Sequence, residues 1–164
     1  MRTLYLLRHA KSSWKDASLA DFDRPLNERG REAAELMGRF IASENLNVSL
    51  LISSPSARTR ETTQILLRFA GLSVEPQFDN RIYEAELRTL VQVVSEMPDD
   101  KDVAMLVGHN PGMEELLAFL TQETRQMPTC ALAKISFDCS SWKEIGAGKG
   151  KLEWFVTPAD LLSA

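Results

Sequence analysis

Val103-Ala104-Met105-Leu106-Val107-Gly108-His109-Asn110-Pro111 reads as a fully apolar strand, a glycine-histidine break and the start of a helix. With no polar residue on either face, Val103 to Val107 is the clearest core strand of the chain. Proline suits the first turn of a helix, where its missing N–H would have had no intrahelical partner, so a helix is expected from Asn110-Pro111 through Leu120. Upstream, Leu4-Tyr5-Leu6-Leu7 gives another short buried strand, and Ser49 to Ser53 a further one. Between them, Asn27 can cap a helix from Glu28 to about Glu44, with Ala33, Leu36, Met37, Phe40 and Ile41 at helical spacing. Ser54-Pro55 turns the chain into a helix from Ala57 to Ala70, stopped by Gly71. Val74 to Phe78 is a candidate strand, and Glu84 to Met97 a helix with Leu87, Leu90, Val91 and Val94 on its apolar face. Downstream, Ala131 to Phe137 and Lys151 to Val156 read as two strands around a loop rich in glycine and lysine. This alternation predicts an α/β fold, a three-layer α/β/α sandwich with a mostly parallel central sheet. With no repeat, low-complexity tract or linker, residues 1–164 are expected to form a single domain.

Composition narrows the partners. The chain is 44% apolar and 26% charged, ordinary for a soluble globular protein. A net charge of −4 gives no bulk attraction to nucleic acid or a membrane surface, so any anion site must be a local concentration of basic residues. No apolar run approaches the length of a membrane span. The N-terminal Met1-Arg2-Thr3-Leu4-Tyr5-Leu6-Leu7 is too short for a signal peptide and lacks a cleavage site. Cys130 and Cys139 do not look like a disulfide framework, and with His9 and His109 they are poor material for a structural zinc site. A cytoplasmic location is expected.

The chemistry gathers at strand ends. His9 follows the first strand behind Arg8, and His109 follows Val103–Val107 behind Gly108. Arg58 stands in the first turn of the helix after Ser49–Ser53. Open α/β sheets bind ligands beyond the carboxyl ends of their strands. A lone histidine there is more often a hydrogen-bonded structural residue, and a lone arginine a solvated one. Arg, His, Arg and His delivered to one edge together point instead to an anion site. The planar guanidinium fork matches phosphate oxygens, and arginines can neutralise a transferring phosphoryl group without a metal. Neutral imidazole is a good nucleophile towards phosphorus, and nearby cations should keep His9 unprotonated.

These segments resemble a known family. Leu7-Arg8-His9-Ala10 is similar to the Arg-His-Gly signature of the histidine phosphatase superfamily, which includes the phosphoglycerate mutases. Ser53-Ser54-Pro55-Ser56-Ala57-Arg58-Thr59-Arg60-Glu61-Thr62 resembles its second motif, and Val107-Gly108-His109-Asn110 its third. The run Arg8 to Trp14, with Asp21-Phe22-Asp23-Arg24-Pro25-Leu26-Asn27-Glu28-Arg29-Gly30, looks most like the compact SixA-type phosphohistidine phosphatases. The resemblance spans Leu4 to about Gly112 and implies a phosphoglycerate mutase-like fold. It implies that His9 is the nucleophile, with Arg8, Arg58 and His109 completing the phosphate pocket. Arg24 is either a further phosphate or substrate contact or a salt-bridge partner of Asp21 or Asp23. Ile82-Tyr83-Glu84 resembles the motif that supplies a general acid in larger relatives, making Glu84 a candidate; a carboxylate at a helix start also suits the dipole alone. Ala10 stands where the wider superfamily usually has glycine, so the backbone there must accommodate a Cβ. Trp14 and Lys15 are placed at the pocket mouth, where they could touch a substrate protein. No metal and no cofactor are implied. The partner is a phosphorylated protein or a small phosphorylated substrate, which leaves open a phosphohistidine phosphatase, a small-molecule phosphomonoesterase and a phosphate-binding module without turnover.

Overall fold

The computed structural model of the chain describes residues 1–163. Its strands are β1 (Arg2–Arg8), β2 (Leu50–Ser53), β3 (Gln77–Phe78), β4 (Val103–Gly108), β5 (Leu132–Phe137) and β6 (Gly150–Val156). They form one mixed sheet in the order β3-β2-β4-β1-β5-β6, parallel from β3 to β1 and antiparallel beyond. The helices are α1 (Glu28–Ser43), α2 (Ala57–Ala70), α3 (Leu87–Ser95), α4 (Gly112–Thr121) and α5 (Pro158–Leu162).

The apolar strands divide their side chains between two cores. Leu4 and Leu6 of β1 join Leu90, Val94, Leu116 and Leu120 of α3 and α4 on one face. Tyr5 and Leu7 join Met37 and Ile41 of α1 and Leu66 of α2 on the other, with Leu161 of α5 at its margin. Alternation along a strand that is buried on both sides makes it apolar throughout, which is why β1 and β4 were legible as continuous runs. The Asn27 side chain accepts a 2.8 Å bond from Gly30 N and starts α1, and Gly71 stops α2 in the left-handed conformation at φ 68°.

Three expectations are revised. The strand expected at Val74–Phe78 shrinks to Gln77–Phe78, because Pro76 has no N–H for the ladder. The helix expected from Glu84 begins at Leu87, since Glu84 itself adopts a left-handed backbone at φ 53°. Pro111 precedes α4 rather than entering it, and the Asn110–Pro111 peptide is cis. Four short elements were not anticipated: α5 and 3-10 turns at Asp21–Asp23, Asn80–Ile82 and Trp142–Glu144. The last of these turns buries Trp142 against Phe137, and its indole N–H donates to Lys101 O at 2.7 Å.

Candidate active site

The C-terminal ends of β1, β4 and β2 lie side by side, with Arg8 in register with Gly108 and Ser53 with Val107. The sheet thereby brings together residues that are far apart in the chain. His9 is tied to both neighbours of β1: its N–H donates to Gly108 O at 3.1 Å, and its carbonyl accepts from Cys130 N at 3.0 Å. The next residue, Ala10, is fully buried and donates its N–H to Thr62 Oγ1 at 3.0 Å. Thr62 in turn donates to Arg58 O at 2.7 Å, so the first motif is fastened directly to the second. Hydroxyls also fix the start of α2, where Thr59 Oγ1 donates to Ser54 O at 2.7 Å.

His9 is 7% exposed, and its Nδ1 lies 2.7 Å from Ala10 O. A carbonyl can only accept, so Nδ1 carries the hydrogen and Nε2 keeps its lone pair. Nε2 has no hydrogen-bond partner among the described residues. Burial pushes the His9 pKa down to about 4; the Ala10 bond opposes this, while Arg58, Arg8 and Arg24 push the same way. His109 lies with its ring centroid 5.1 Å from that of His9. Its Nε2 is 2.8 Å from Ser54 Oγ, and burial, then His9 and Arg58, lower its pKa to about 3. Both rings are neutral near pH 7.

Around them stand three guanidinium groups. Arg8 donates Nη1 to Met127 O at 3.0 Å. Arg58 grips Asp21 twice, with Nη1 to the backbone carbonyl at 2.8 Å and Nη2 to Oδ2 at 3.0 Å. Arg24 contacts Asp21 Oδ1 through Nε and Nη2 at 3.3 and 3.2 Å, and lies 3.5 Å from the centre of the Trp14 ring. The salt bridge to Asp21 that the sequence left open for Arg24 is therefore present, and it lies within the same cluster. Tyr83 donates its hydroxyl to Asp21 Oδ2 at 2.5 Å and packs edge-on to His109. These bonds, Tyr83 first, hold the Asp21 carboxyl at about 2. Arg8 Nε, Arg58 Nε and His109 Nδ1 are buried with no partner among the described residues. Unpaired buried nitrogens on three adjacent basic side chains leave the cluster with unfilled capacity for an oxygen-rich ligand.

Five of the six residues singled out from sequence thus meet: Arg8, His9, Arg24, Arg58 and His109. Glu84 stands apart. It is exposed and lines a cavity of about 390 Å³ that reaches the cluster only at His109, with Ile82, Leu90 and Glu115 also on its wall. Sequence reasoning missed Tyr83 and Ser54 and noticed Asp21 only as a partner for Arg24. Tyr83 lies in a loop with no period, and the Asp21-x-x-Arg24 spacing signalled the local ion pair but not the reach of Asp21 to Arg58 and Tyr83.

The model of the histidine phosphatase superfamily (branch 1) matches residues 4–116. An uncharacterised chloroplastic protein of Arabidopsis thaliana is 34% identical over 173 residues, covering 96% of this chain and 78% of that protein. A crystal structure from Agrobacterium tumefaciens, described as a phosphohistidine phosphatase SixA, is 30% identical with a TM-score of 0.83 over 96% of this chain and 98% of that one. The protein histidine phosphatase SixA in complex with tungstate shares the fold, at 20% identity and a TM-score of 0.84 over 97% and 99% of the two chains. No helix among the described residues is long and apolar enough to cross a membrane.

Proposed function

The chain belongs to the histidine phosphatase superfamily, and on that premise we propose that it hydrolyses phosphohistidine in a protein substrate through a covalent intermediate on His9. The observation that carries this reading is the pairing of a neutral His9, its Nε2 lone pair free, with unpaired nitrogens on Arg8, Arg58 and His109. Nε2 attacks phosphorus while the bond to the leaving imidazole nitrogen breaks, and the leaving ring takes a proton from solvent. Water then attacks phospho-His9, releasing inorganic phosphate and restoring the ring. The guanidinium groups of Arg8 and Arg58 offset the charge on the phosphoryl oxygens, and His109 donates to one of them. Arg24 sits beside Arg58 as a further phosphate contact. The resemblance to the Agrobacterium structure described as SixA supports the choice of phosphohistidine.

A phosphomonoesterase is the second reading, favoured by Glu84, which lines the cavity beside His109 where a leaving group could be protonated. The test is hydrolysis of a phosphohistidine-bearing protein and of p-nitrophenyl phosphate, with chelator present, by wild type, His9→Ala and Glu84→Gln. We expect turnover of phosphohistidine that needs His9, survives chelator and ignores Glu84. A phosphate trapped on His9, labile to acid and stable to alkali, identifies the intermediate. Full activity in His9→Ala would remove the mechanism. Preference for the ester with dependence on Glu84 would establish the second reading, and phosphate binding without turnover would leave a binding module.

A further inference from the structure

Asp21 lies on a 3-10 turn, Asp21–Asp23, none of whose residues is buried. The turn belongs to a loop closed at its base by the Ser12–Leu26 bridge, by Ser13 N to Pro25 O at 2.8 Å and by Asn27 N to Lys11 O at 3.0 Å. Within that loop the Asp21 carboxylate reaches inward to two arginines that are each only 7% exposed, while its own side chain is 47% exposed. The asymmetry decides which partner can leave. A half-exposed carboxylate regains water when it swings out, whereas Arg24 and Arg58 are held in the protein and need an anion in its place. Arg58 spends both terminal nitrogens on Asp21, leaving only Nε without a partner.

We propose that Asp21 is an internal counter-anion, occupying Arg24, Arg58 and Tyr83 in the resting protein and displaced by an incoming phosphoryl group, and that it thereby sets the preference of the site for phosphoryl dianions over monoanions. The proposal rests on the cluster being the phosphoryl site of the proposed phosphatase. A phosphate monoester or phosphoramidate presents three acceptor oxygens and up to two negative charges, against two oxygens and one charge on Asp21. It can also use Arg8 Nε and His109 Nδ1, which Asp21 does not reach. A simple carboxylate offers the arginines no more than Asp21 already supplies and cannot displace it. The same contact assists product release, because Asp21 is ready to reclaim the guanidinium groups as phosphate departs. Tyr83 holds the carboxylate closed through its hydroxyl, and Phe22 of the same turn packs edge-on against Tyr83 with ring centroids 5.1 Å apart.

The experiment is calorimetric titration of wild type, Asp21→Asn and Tyr83→Phe with inorganic phosphate and with acetate. Asp21→Asn keeps the shape and removes the charge, so phosphate should bind about tenfold more tightly, ~1.4 kcal/mol, and acetate should become measurable. Tyr83→Phe, which loses one of the bonds on the carboxylate, should fall between wild type and Asp21→Asn. Unchanged or weaker phosphate binding by Asp21→Asn, with wild type still turning over phosphohistidine, overturns the counter-anion and makes Asp21 a residue that orients the arginines. Wild type and Asp21→Asn alike failing to bind phosphate, with no turnover, overturns the counter-anion together with the phosphatase reading.

Discussion

Lowering the pH should separate His9 from an ordinary histidine. In the folded protein its pKa is about 4, chiefly because the ring is buried, and an unfolded chain would titrate near the ordinary value of about 6.5. Between those values the unfolded chain binds a proton that the folded protein refuses. Stability therefore falls as the pH is lowered through this window and is recovered as it rises. Linkage makes the loss from His9 about 2.5 kcal/mol at about pH 4.5, a substantial part of the stability of a typical domain. His109, held at about 3, acts in the same direction, so His9 is isolated by comparing wild type with His9→Asn. Asp21 does not confuse the comparison: its carboxyl is depressed to about 2, so its contribution is kept above the ordinary carboxylate value and lost only at lower pH.

Urea unfolding at about pH 7.5 and about pH 4.5 gives the stability difference, which should shrink in His9→Asn by about 2.5 kcal/mol. The chain has only two histidines, so proton NMR of the imidazole signals reads both midpoints directly. For the mechanism proposed above, the consequence is a nucleophile that survives acid. At about pH 5.5, about 97% of His9 should still be neutral, against about 9% for an unperturbed ring. A His9 midpoint near 6.5, with the same pH dependence of stability in wild type and variant, would refute the claim that burial and the surrounding arginines keep this ring neutral.

Other substitutions test separate parts of the geometry. Arg58→Ala should lower kcat by about 10²–10³, and Arg58→Lys should restore little of it because a point charge cannot reproduce the fork, as steady-state kinetics would reveal. Thr62→Val removes the acceptor for the buried Ala10 N–H, so it should cost about 1–3 kcal/mol by urea unfolding. It should also lower kcat more than it raises KM, because Ala10 O orients His9. Gly30→Ala would place a Cβ 2.1 Å from Lys11 O, a backbone clash at the base of the loop that carries Trp14 and Asp21. A loss of about 1–3 kcal/mol is expected by thermal or urea unfolding, and no loss would mean that α1 sits further from Lys11.

The sequence was most legible where burial on both faces left no alternative. β1 and β4 announced themselves as apolar runs, Asn27 and Gly71 punctuated the helices, and the strand-end rule then placed Arg8, His9, Arg58 and His109 on one edge. Legibility failed where a local feature outweighed a pattern. Pro76 cut short the strand expected from Val74, and the left-handed Glu84 delayed α3. The short elements had no period to read, yet two carried a readable capping box: Ser141 with Glu144, and Thr157 with Asp160 behind Pro158. The outer half of the site was hidden for a different reason. Asp21 meets Arg58 across 37 residues and Tyr83 across 62, through a loop whose course no periodicity dictates.

The partner of His9 Nδ1 bears on which chemistry suits the site. A carboxylate there would stabilise the imidazolium and make the ring a base, as in a Ser-His-Asp triad. Ala10 O instead fixes the tautomer without contributing a full negative charge, and burial keeps the ring neutral. His9 is thus better suited to taking up a phosphoryl group than a proton. The same balance limits the leaving group. Near pH 7, His9 and His109 are neutral with pKa values of about 4 and about 3, Asp21 is ionised at about 2, and burial followed by Asp21 raises Tyr83 to about 12. None of these groups is poised to hand a proton to a departing alkoxide. An alkyl ester must therefore recruit its acid from outside the cluster, from Glu84 across the cavity beside His109. Phosphohistidine has a labile P–N bond, and its imidazole leaves more readily than an alkoxide. Of the substrates the fold could admit, phosphohistidine asks least of the groups that surround His9.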